Sequence, residues 1–69
     1  MSAQVSEYVV SGMTCEHCVA SVTEEVGELA GVTHVRVDLA TGGLTVTSDR
    51  PLSRDDVAAA VDEAGYRLA

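Results

Sequence analysis

The chain has 69 residues, enough for one small domain and too few to enclose a deep active-site cleft. Eleven acidic residues stand against four arginines, with no lysine, and the resulting charge of −7 argues against nucleic acid or an anionic membrane as partner. No run approaches the roughly 20 apolar residues that span a bilayer, and Met1 to Tyr8 lacks the basic and apolar regions of a secretory leader, so a cytoplasmic location without membrane insertion is expected.

Tyr8, Val9 and Val10 form a β-rich run that Ser11-Gly12 breaks, which predicts a first strand over about Val5 to Ser11. From Cys18 onward Val19, Val22, Val26 and Leu29 recur at spacings of three and four, opposite Ser21, Glu24, Glu25 and Glu28. That spacing predicts an amphipathic helix ending at Gly31, with Gly27 marking close packing or a frayed last turn. Val35, Val37 and Leu39 then alternate with His34, Arg36 and Asp38. Thr41-Gly42-Gly43 turns the chain, and Leu44 and Val46 alternate with Thr45 and Thr47, giving a hairpin with one apolar face. Ser53 and Asp56 resemble a capping box with Asp in place of the usual Glu, opening a second helix from about Arg54 to Ala64. Gly65 closes it, and Tyr66 to Leu68 suffices for a final edge strand.

The order is βαββαβ. Helices with one apolar stripe and strands with one apolar face are satisfied together by an α+β two-layer sandwich. The expectation is a ferredoxin-like fold: a four-stranded antiparallel sheet with two helices on one face and no iron–sulfur site.

The loop from the first strand into the first helix reads GMTCEHC, Gly12 to Cys18, and holds both cysteines. In a reducing compartment such a pair binds metal or does redox chemistry more often than it forms a structural disulfide. A helix N-terminus presents unpaired N–H groups and the positive end of the helix dipole, which favour thiolates and tend to lower a cysteine pKa. With Cys15 in the loop and Cys18 in the first turn, both sulfurs are expected to converge on one point at the surface. Two thiolates make a soft, open donor set suited to Cu(I), which tolerates two or three ligands where structural zinc wants four. Three other uses stay open at this point: a thioredoxin-like dithiol, a structural zinc knuckle recruiting His17 and His34, and a short Cys15–Cys18 disulfide. Met13 reads as loop packing or as a third soft ligand. His17 reads as a solvent-facing side chain, as a proton donor beside the metal, or as a ligand in a metal-bridged dimer. His34 reads as a surface residue, and Glu16 with the Glu24, Glu25 and Glu28 face as a solvated helix side.

The stretch SGMTCEHCVASVTEEVGELAGVTHVRVDL, with EAGY before the last strand, resembles the heavy-metal-associated domain family. Its signature is a Gly-Met-x-Cys-x-x-Cys loop, a helix ending in Gly-Val and a Val-rich strand. The resemblance covers nearly the whole chain and implies one such domain over residues 1–69. It implies a non-enzymatic carrier that binds Cu(I) through Cys15 and Cys18, with Met13 tucked inward to brace the loop and Tyr66 near the metal. In size the chain is similar to bacterial copper chaperones that deliver to copper-exporting P-type ATPases. The implied partner is therefore the metal-binding domain of such an ATPase or another copper acceptor, and an open two-thiolate site also admits a copper-bridged homodimer. The same domain occurs fused to the N-terminus of those ATPases, so an excised domain is the alternative from within the family. Zinc and cadmium domains carry Asp before the first cysteine. Thr14 stands there in this chain and leans toward copper, and the mercuric-ion carriers that look alike are normally exported.

Overall fold

The computed structural model describes residues 3–13 and 16–69. Its elements follow the expected order: β1 (Gln4–Ser11), α1 (Glu16–Gly27), β2 (Val32–Asp38), β3 (Gly43–Ser48), α2 (Arg54–Glu63) and β4 (Arg67–Leu68). The strands form one antiparallel sheet in the order β2-β3-β1-β4. Both helices pack on one face, so the ferredoxin-like sandwich is the observed architecture.

Register explains the core. Tyr8 pairs with Leu44 and Leu44 with Val37, while Ser6, Val46 and Val35 form the next inward row. Leu44 and Val46 lie on a central strand and are fully buried, whereas Val35 and Val37 on an edge strand are half-buried. Val22 and Val26 of α1 and Val57 and Val61 of α2 close the core from the helical side, each with no exposed surface. A fully buried valine contributes roughly 1.5 kcal/mol or more, so these four make up much of what a chain this short has available. Ser48, the one buried polar side chain among the described residues, donates its hydroxyl to Arg50 O at 2.6 Å.

α1 ends at Gly27, four residues before the expected stop. The chain leaves through tighter bonds, Glu28 N to Glu25 O and Leu29 N to Val26 O, which fold Leu29 back onto the core. A side chain at Gly27 would meet nothing within 4 Å, so this glycine marks the helix end and not a close approach. Gly31 instead takes the left-handed conformation, φ +87°, where a Cβ would stand 2.7 Å from Arg50 Nε. At α2 the Ser53 hydroxyl accepts from Asp55 N at 3.1 Å, so the cap serves the second helical residue and not Asp56.

β1 and β3 are antiparallel and each feeds a helix, so α1 and α2 run in opposite directions. The β1–α1 loop, the β2–β3 turn and the α2–β4 turn therefore share one end of the sandwich. Residues 28–31 and 49–53 occupy the other, joined by Asp49 N to Gly31 O at 2.8 Å.

Candidate metal centre

β1 delivers the chain to Ser11, and Gly12 turns it with φ +90°, a conformation that costs other residues a steric penalty. A Cβ at Gly12 would lie 3.6 Å from Tyr66 Cδ1, so the tyrosine ring flanks this turn. Met13 follows, half-buried and packed against the core. Thr14 and Cys15 lie outside the described residues.

Glu16 and His17 open α1 and are exposed. Cys18 sits in the first turn, where it was expected, yet it is only 6% exposed. Cys18, Val22 and Val26 recur at intervals of four, so the helix turns the cysteine onto its core-facing stripe. The expectation that both sulfurs meet at the surface therefore needs correction for Cys18, which is shielded.

The structure gathers Met13, His17, Cys18 and Tyr66 at the loop end. His34 is elsewhere: it is exposed on the open side of the sheet and pairs with Thr47, toward the end where β1 begins. Among the described residues no three His, Cys, Asp or Glu side chains are grouped to hold a metal ion. The zinc knuckle that needed His34 thus lacks that ligand.

Two charged residues beside the loop escaped the sequence reading. A cleft of about 460 Å³ is lined by Ser11 and Gly12 together with Asp62, Gly65, Tyr66 and Arg67. The signal for it was topological. β4 pairs with the last residues of β1, Ser11 with Arg67, so whatever ends α2 must arrive beside Gly12.

No helix among the described residues is long and apolar enough to cross a membrane. The heavy-metal-associated domain family matches residues 7–67. The copper chaperone CopZ of Bacillus subtilis is 44% identical over 61 residues, which cover 87% of this chain and 88% of that protein. A zinc/cadmium/lead-transporting P-type ATPase of Shigella sonnei is 46% identical over 59 residues, 86% of this chain but 8% of the ATPase. A solved CopZ metallochaperone superimposes with a TM-score of 0.88 at 27% identity, covering 96% of this chain and 100% of that one. These relatives are carriers and transport domains, and the dithiol-oxidoreductase alternative finds no counterpart among them. The chain belongs to the heavy-metal-associated domain family, a family of metal carriers and not of enzymes.

Proposed function

We propose that this chain is a cytoplasmic Cu(I) carrier that holds the ion between Cys15 and Cys18 and passes it to a partner such as the metal-binding domain of a copper-exporting P-type ATPase. The observation that carries the reading is the 44% identity to a copper chaperone across nearly the full length of both chains. The site geometry supports it. Cys18 enters from the start of a helix, where N–H groups and the dipole favour a thiolate, and its burial keeps water from competing for the ion. Met13 braces the loop from the core side, and Tyr66 walls the site beside Gly12.

Transfer is ligand exchange without change of oxidation state. A thiolate of the partner adds to the two-coordinate ion as a third sulfur, and one of Cys15 and Cys18 departs. A second partner thiolate then displaces the other. Each copper–sulfur bond broken is matched by one formed, and the protons lost by the partner's thiols are balanced by those the departing cysteines take up. His17, exposed next to Cys18, is placed to relay one of them.

The 46% identity to a zinc/cadmium/lead transporter supports a second reading in which zinc is the cargo. Thr14 supplies no carboxylate, which favours copper. Anaerobic chelator competition with Cu(I), Zn(II) and Hg(II) side by side decides the matter. The expected result is one Cu(I) held far more tightly than Zn(II), with retention lost in Cys15→Ser and in Cys18→Ser. Wild-type copper affinity in both serine variants overturns the thiolate site, and tighter zinc than copper overturns the cargo.

A further inference from the structure

On the helical layer, a groove of about 280 Å³ runs between α1 and α2, from the C-terminal end of α1 along α2 to Glu63. Its floor is apolar, made by Leu29, Ala59 and Ala60, and its rim carries Glu25, Glu28, Asp56 and Glu63. No cation answers these carboxylates. The only ion pair among the described residues joins Arg50 to Asp49, and Arg54, the one arginine in either helix, donates to Ala69 O at 3.1 Å. Three of the four also stand where negative charge opposes the dipole of their own helix. Glu25 is in the last turn of α1, Glu28 just follows it and Glu63 ends α2, with no basic residue in either last turn. Their placement works against the helices that carry them.

We propose that the groove is a recognition site for a lysine or arginine side chain on an amphipathic segment of a partner protein. The methylene stem lies along Leu29, Ala59 and Ala60, and the cationic head sits among the carboxylates. A second copy of this chain is disfavoured as occupant, because a charge of −7 makes two copies repel. A metal ion is disfavoured because the rim forms no cluster with metal-holding geometry. None of Gly12, Met13 and Cys18 lines the groove, so the site needs no bound copper. It stands or falls apart from the carrier reading.

The test uses the full 69-residue chain, isotope-labelled, metal-free and reduced, titrated with a synthetic amphipathic peptide of leucine, alanine and lysine and with its lysine-to-glutamate counterpart. The lysine peptide is expected to shift the amides of Leu29, Ala59 and Ala60 saturably, and the glutamate peptide to leave them in place. The triple variant Glu25→Gln, Glu28→Gln, Glu63→Gln weakens binding by about tenfold, whereas Glu24→Gln, Asp55→Asn, Asp62→Asn, which removes equal charge outside the groove, weakens it by less than about twofold. Ala59→Arg, at an exposed position, places a guanidinium over the floor and blocks the peptide. Equal weakening in the two triple variants would reduce the effect to diffuse attraction and overturn the site. So would shifts centred on the Val5 and Val9 face of the sheet, or no binding at all.

Discussion

α1 with the turn after it and α2 carry eight of the eleven acidic side chains and one arginine, while the four strands carry Glu7 and Asp38 against Arg36 and Arg67. Asp49 and Arg50 pair with each other, so eight carboxylates less one guanidinium account for the whole charge of −7. The open side of the sheet is neutral and partly apolar, with Val5 and Val9 exposed at 64% and 51%. Both surfaces cover the same core, yet only the helical one carries a field that orients a charged partner. The net charge is thereby confined to one layer, and the other is close to neutral.

The comparison is broken most deeply by a change beneath both surfaces. Leu44→Ala empties a fully buried site on β3 and is expected to cost roughly 2–5 kcal/mol, seen as a lower urea midpoint with unchanged slope. Removing the cap of the charged layer alone is milder. Ser53→Ala loses the bond to Asp55 N and should cost about 1 kcal/mol by thermal unfolding. Equal charge changes on the two surfaces sharpen the contrast further. Glu24→Lys, near the C-terminal end of α1, should stabilise by about 0.5 kcal/mol at low salt, with the gain fading at about 0.5 M salt. Glu7→Lys faces Arg36 across Thr45 and should destabilise by no more than about 0.5 kcal/mol. The smallest effect is expected from Val9→Thr on the open side, within about 0.5 kcal/mol of the parent.

Element order, strand alternation in the hairpin and the second helix were all legible in the residues, because period and punctuation agree there. Val35, Val37, Leu44 and Val46 turn inward together as their spacing required. β1 was less readable in one respect. With valines at 5, 9 and 10 it is apolar on both sides, and only pairing with β3 shows that Val10 faces the core while Val5 and Val9 face water. The stop of α1 was misread because Gly31 is the stronger turn signal, whereas Gly27, low in helix propensity, releases the chain first. At the candidate site the motif announced Cys18 and its turn of helix; its burial was written in the four-residue spacing to Val22 and Val26, but the expectation of a surface donor pair overrode that period. Asp62 and Arg67 were invisible to any local pattern, being joined to the loop by strand pairing alone.

β4 is held by two rungs, Val10 with Leu68 and Ser11 with Arg67, by Ala69 N on Val9 O, and by the Arg54 guanidinium on Ala69 O. So short an attachment is the part of the sheet that opens first, and Tyr66, one residue upstream, loses its support when it does. Hydrogen exchange at Ala69, whose N–H bonds Val9 O, is therefore a clock for the loop at Gly12, more than fifty residues earlier in the chain. Arg54→Ala, made at the opposite end of α2, should make that clock run faster.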